Sequence, residues 1–200
     1  MREHKLLAPV RAGRRHGPKA HDGTIVTEQP DEMWGTDATS TLADEGHATI
    51  FMVIDHCTAE CLGIHAARYG DRFEALEPLK QATKRSFGVF CEGMAEGLTL
   101  RHDNGSQFTS HDYRAELAFL GIASSPSFVR EPEGNGCAER FIRTLKEQLL
   151  WQRRFATVEE LRLALHEWAG RYNDEWLIQR HGHRSPSARR RDFDPVREAA

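Results

Sequence analysis

No stretch of this 200-residue chain is apolar enough to cross a membrane: the longest near-continuous apolar run is Ile50-Phe-Met-Val-Ile54, against the roughly 20 residues a spanning helix needs. After the basic start only Leu6-Leu-Ala-Pro-Val10 is apolar, too short for the hydrophobic part of a secretory signal. Both absences predict a soluble, intracellular protein without a membrane partner. Cysteine is sparse and scattered. Cys57, Cys61, Cys91 and Cys137 form no two CxxC pairs and stand beside no matching histidine pair, which argues against a structural zinc site. Reduced, partly buried thiols are the better reading and suit a cytosolic compartment. Internal repeats, low-complexity tracts and a recognisable helix-turn-helix are also missing.

The chain lacks an overall positive charge too, with 27 Lys and Arg against 30 Asp and Glu. The distribution is more telling. Residues 1–20 carry six Lys/Arg and one Glu, residues 140–200 thirteen and nine, which leaves eight basic against twenty acidic residues in 21–139. Phosphate contact requires local cations and not a basic average. An acidic middle between basic ends suits a metal-dependent nucleic-acid enzyme, although a solvated acidic surface gives the same count. Length and a 39% hydrophobic content allow one domain with a sizeable core.

Residues 1–22 read as a basic linker or arm, 23–175 as the core and 176–200 as a basic tail. Strands are predicted over Met33–Thr39, His47–Asp55 and Glu60–Ala66, an antiparallel meander. Asp71-Arg-Phe-Glu74 has the form of a capping box for a helix reaching about Ser86, with Pro78 predicting a kink or a delayed start. Further strands are expected at Leu98–Arg101 and Ile122–Ser124, with a helix over His111–Leu120 between them. Ser125–Gly136, rich in proline and glycine, reads as a surface loop. Thr157-Val-Glu-Glu160 is a second capping box, before a core-facing stripe of Leu161, Leu165, Trp168 and Tyr172. The sum is an α/β domain with a mixed five-stranded sheet flanked by helices.

Three acidic residues stand out: Asp37 in the apolar run Met33-Trp-Gly-Thr-Asp-Ala-Thr39, Asp103 at the end of Leu98-Thr-Leu-Arg-His-Asp103, and Glu139 at the start of an amphipathic helix. Each alone has an ordinary explanation, as a turn cap, the start of the Asp-Asn-Gly turn, or a helix N-terminal charge. Together they resemble the catalytic core of the integrase superfamily, the retroviral integrases and DDE transposases, and especially the second-frame transposases of bacterial insertion sequences. Four motifs carry the resemblance: Met33-Trp-Gly-Thr-Asp37, Arg101-His-Asp-Asn-Gly-Ser-Gln-Phe-Thr109, Glu133-Gly-Asn-Gly-Cys-Ala-Glu-Arg-Phe-Ile-Arg-Thr-Leu-Lys-Glu147, and Tyr172-Asn173 followed by Ser185-Pro186.

The resemblance implies an RNase H-like fold and an enzyme, a polynucleotidyl transferase, in which Asp37, Asp103 and Glu139 are catalytic and hold two Mg²⁺ ions, with Mn²⁺ as a substitute. It implies DNA as partner, at least a homodimer in the active complex, and the bacterial cytoplasm as location. Metal-activated water would nick the element end, and the freed 3′-hydroxyl would attack target DNA without a covalent protein intermediate. Glu139, Arg143 and Lys146, at i, i+4 and i+7, share a helix face, so Arg143 and Lys146 lead the expected DNA contacts; a solvated face with a Glu139–Arg143 ion pair is the bland alternative. Arg140, Asn104 and Asn135 complete the expected contacts, and Gly134 and Gly136 would let the loop approach substrate. His102 should face away from the site, Asp55 ranks below the triad, and His181-Gly-His183 receives no metal. The rivals are a noncatalytic regulator or remnant and a nuclease that does not join strands. Relatives carry a DNA-reading region upstream, so the chain is expected to be a fragment or a truncated frame.

Overall fold

The computed structural model describes residues 27–127 and 135–193. The expected arm at 1–22 and most of the expected loop at 125–136 lie outside those residues. β1 (Met33–Ala43), β2 (Gly46–Asp55) and β3 (Cys61–Ala67) form the antiparallel meander, and β4 (Thr99–His102) and β5 (Ala123–Pro126) add in parallel, giving the order β3-β2-β1-β4-β5. β1 runs beyond the predicted Thr39, because Ser40 to Ala43 continue the ladder against Thr49 to Gly46 and the hairpin closes on Asp44-Glu45. Gly46, at φ 119°, gives that turn a backbone that other residues resist.

Helix α1 (Arg72–Phe87) begins where Asp71 accepts hydrogen bonds from the amides of Phe73 and Glu74. Glu74 does not complete the capping box; it meets Nε2 of His65 at 2.7 Å. Pro78 does not delay the helix start, and the helix continues through it from Arg72 to Phe87. Its ring removes one backbone bond, but the residue is buried against β3, and packing of the inner face holds the turn. Contact there is tight: a Cβ on Gly63 would stand 2.0 Å from the Pro78 carbonyl oxygen. Gly63→Ala is therefore expected to lower unfolding stability by about 3 kcal/mol, the upper range for overpacking, measured by urea denaturation.

Short α2 (Ser106–Thr109) and α3 (His111–Leu120) follow β4, then α4 (Gly136–Leu145) with a π-helical turn over Lys146–Leu150, α5 (Val158–Glu175) and α6 (Pro186–Arg191). Both sheet faces are covered, which is why β2 is buried almost throughout. Trp34, Phe51, Val53 and Leu100 pack with α1 and α3 on one side. Ile50, Met52 and Ile54 pack on the other with Phe141 and Leu145 of α4 and with the predicted stripe Leu161, Leu165, Trp168 and Tyr172 of α5.

Edge strand β3 is closed off by side chains. Asn173 accepts from the Cys61 amide at 2.8 Å and donates to its carbonyl at 2.9 Å, while Gln81 and Arg162 serve Ile64 N and Ala66 O. Such bonds occupy the groups through which an open edge would pair with another chain. Residues 176–193, expected as a tail, fold back onto the core. Arg180 donates to His56 O at 2.8 Å, and Arg190 of α6 meets Asp31 at 2.8 Å, the buried Glu60, and Asp55 at 3.9 Å. Among the described residues no helix is long and apolar enough to cross a membrane.

Candidate active site

β4 pairs in parallel with β1 as far as Gly35 opposite Arg101; Asp37 lies two residues further along β1, and Asp103 directly follows β4. Strand alternation puts Asp37 on the face opposite Trp34. On that face α4 crosses β1 and β2, held by Phe141 and Leu145, and carries Glu139 in its first turn. β1 and α4 thus bring Asp37 and Glu139 to one side of the sheet, and Asp103 follows the strand next to β1.

Asp37 is half-buried, and its carboxyl is pushed up to about 6. Burial is the main cause, opposed by the Ala38 amide, which donates to Oδ1 at 2.7 Å. The negative charges of Asp103 and Glu139 raise it further and Lys146 lowers it. Asp103 is exposed and also shapes its turn, accepting from the Gly105 amide at 2.9 Å. Glu139 is exposed. Among the described residues no three His, Cys, Asp or Glu side chains are gathered closely enough to hold an ion as they stand. The donor chemistry nevertheless fits a hard divalent cation: all ligands are oxygen, and a carboxylate made costly to ionise by burial and like charges is relieved by positive charge.

Of the expected DNA contacts, Arg140 and Arg143 are exposed and Lys146 is half-buried. Arg143 pairs with Glu147 at 2.9 Å and not with Glu139. The π-helical turn starts at Lys146, so the shared face with Glu139 extends to that residue and the helical phase changes after it. Asn104 and Asn135 are differently placed. Asn104 ties its turn to Ser127 O at 3.0 Å, and Asn135 is 5% exposed with Nδ2 bound to Thr36 O at 3.0 Å. A side chain so buried offers DNA little surface, and its amide nitrogen is already committed inside the fold. Gly136 has open space where a Cβ would stand, so no other part of the protein requires its missing side chain; Gly134 lies outside the described residues.

His102 turns away as expected, buried with Nε2 at 2.8 Å from Ser124 Oγ. Asp55 is fully buried at the end of β2, accepting from Asp31 N and from the amide and hydroxyl of Thr58. His181 sits against Thr58 O, and burial beside Arg180 pushes its ring down to about 4. Sequence reasoning missed the close fit of Gly35 to Asn135; the only local signal is a glycine two residues before the acid.

A mixed sheet in this order, with acids on β1, after β4 and on the helix crossing them, is an RNase H-like arrangement. Residues 27–132 and 120–186 each match a family model described as integrase core domain, and the chain belongs to that family. The putative transposase InsD of insertion element IS2E from Escherichia coli K12 is 28% identical over 153 residues, 75% of this chain and 69% of the relative. The InsD transposase of IS2A/D/F/H/I/K from Escherichia coli is equally identical, and the chain spans about half its length, 50%. Among solved structures, the catalytic core of BIV integrase aligns at TM-score 0.61 with 20% identity, covering 84% of this chain and 99% of that one. The HTLV-2 integrase core in complex with magnesium aligns at 0.60 with 15% identity, covering 80% and 97%. These likenesses establish the retroviral integrase core fold.

Proposed function

We propose that the chain is the catalytic core of a DDE transposase, cutting DNA at the ends of an insertion element and joining the freed ends to a target. The observation that carries this reading is the placement of Asp37 on β1, Asp103 directly after the neighbouring β4 and Glu139 on the helix crossing β1, within an integrase core. Burial and two like charges make the Asp37 anion costly, a condition hard to explain as a device for folding and ordinary at a cation-dependent site. The three acids would hold two Mg²⁺, or Mn²⁺ in its place. When bound, such ions stabilise the attacking and leaving oxygens together and make the attacking water or hydroxyl more acidic.

The chain's own groups do the rest. Arg140, Arg143 and Lys146, following Glu139 along α4, present cations to DNA phosphates and so set its position. The Gly105 amide holds Asp103 at the end of its strand. Desolvation pushes the Cys137 thiol, two residues before Glu139, up to about 11. The proposed route is direct transesterification by the DNA 3′-hydroxyl. Two element ends need two cores, hence at least a dimer, working on DNA in the bacterial cytoplasm.

The test uses labelled oligonucleotides with a pre-cut 3′ end, incubated with the protein and Mg²⁺, Mn²⁺ or EDTA, beside Asp103→Asn and Glu139→Gln. Longer joined products that require metal and both acids are expected, with the variants retaining the wild-type circular dichroism spectrum. Metal-dependent cutting without joining would replace the proposal with a nuclease. Unchanged rates in Glu139→Gln would remove the assignment of that residue.

A further inference from the structure

We propose that Asn135 and Gly35 form a latch that fixes Glu139 relative to Asp37, which makes Asn135 a positioning residue in the reaction proposed above, on whose reading this role rests. Asn135 is the N-cap of α4, a place where asparagine usually accepts a hydrogen bond from an amide of its own first turn. It makes no such bond. Its Nδ2 reaches across to Thr36 O at 3.0 Å, the residue immediately before Asp37. The orientation of the amide follows from chemistry, since a carbonyl oxygen accepts and only the nitrogen can donate to it. Among the described residues Oδ1 is then left buried without a hydrogen-bond partner. Forgoing a cap and burying an idle acceptor are both unfavourable locally, so the tie across to β1 is the feature that this side chain serves.

Gly35 makes room for it. A Cβ at that position would stand 2.6 Å from Asn135 Oδ1 and 2.9 Å from His56 Nε2, closer than real side chains approach, and would expel the amide. Gly35 is not among the glycines with positive φ, so space and not backbone freedom is what it supplies. Glu139 lies about one helical turn beyond Asn135, and a bond to Thr36 therefore sets where the first turn of α4 begins relative to the strand bearing Asp37.

The test compares Asn135→Ala, the isosteric Asn135→Asp, Gly35→Ala and the Gly35→Ala/Asn135→Ala double variant. Single-turnover strand transfer should slow roughly 100-fold in each single variant, the effect of misplacing a reacting group by about 1 Å. Affinity for the DNA, measured by fluorescence anisotropy in EDTA, should stay at the wild-type value. Hydrogen exchange at the amides of Arg140, Phe141 and Ile142 should quicken in the same variants. The double variant should be no slower than the worse single one, because the clash at residue 35 requires the amide it displaces. Weakened DNA binding with unchanged exchange would overturn the latch and return Asn135 to the DNA contacts. Multiplying rate losses would also overturn it, by making the two sites independent. Should the wild type neither cut nor join, the proposed function falls, while the exchange measurement still upholds or overturns the latch by itself.

Discussion

Asp37→Asn is expected to stabilise the metal-free protein at neutral pH while abolishing strand cleavage. In the fold the Asp37 carboxyl is raised from 3.8 to about 6. A group whose folded value is raised contributes stability that is fully present below its unfolded value and is lost as pH rises through the folded one. The metal-free protein should therefore become less stable between about pH 4 and pH 6, by at most about 3 kcal/mol from this group. Asparagine keeps an oxygen for the Ala38 amide and discards the charge. Its gain at pH 7 should be about 1–2 kcal/mol, and the slope of stability between pH 4 and 6 should flatten. Activity should fall roughly 1000-fold or more, since a ligand that stabilises charge in the transition state contributes several kcal/mol. Opposite signs are the diagnostic result. A purely structural acid would lose stability on replacement, and urea melts at pH 4, 5, 6 and 7 beside a cleavage assay distinguish the two.

That site was legible in part from sequence. The meander, both helix caps and the α5 stripe follow local pattern, and Leu161, Leu165, Trp168 and Tyr172 are all buried as their spacing requires. The motif order brought Asp37, Asp103 and Glu139 forward, and the pairing of β1 with β4 supplies the physical reason that two of them sit on or just beyond neighbouring strands. Other features have no local trace. The bond from Asn135 to Thr36 spans 99 residues and that from Asn173 to Cys61 spans 112, so neither leaves a periodicity to read. Pro78 misled because its cost is local whereas the packing that outweighs it comes from β3. The charged end of the chain misled in the same way. A run such as Ala188-Arg-Arg-Arg191 looks solvated, and only the fold reveals that one of its cations is drawn inward.

Arg190→Ala is the substitution expected to destabilise the fold most. Its side chain is 22% exposed and its guanidinium faces Asp31, Asp55 and Glu60, of which Asp55 is fully buried and Glu60 3% exposed at the side chain. Arg85 also reaches Glu60, at 2.5 Å, but does not pair with Asp31 or Asp55. Removing Arg190 leaves Asp55 to its amide and hydroxyl donors alone, in surroundings where burial already raises its carboxyl. Deleting one partner of a buried pair typically costs about 3–5 kcal/mol, because the other charge remains without compensation. The pH dependence carries the sign of a raised carboxyl. Protonation relieves an uncompensated Asp55, so the deficit should shrink on acidification and grow as pH rises through the folded value. Urea unfolding at pH 5 and pH 8 should show a larger loss at pH 8. An equal loss at both would assign the effect to lost packing of α6 and not to charge. Arg190→Met separates the two further, since it keeps the packing of the stem and removes only the cation. Because α6 closes over the end of β2 and not over Asp37, the folded fraction of either variant should retain metal-dependent cleavage, which would place this arginine with the architecture and the three acids with the chemistry.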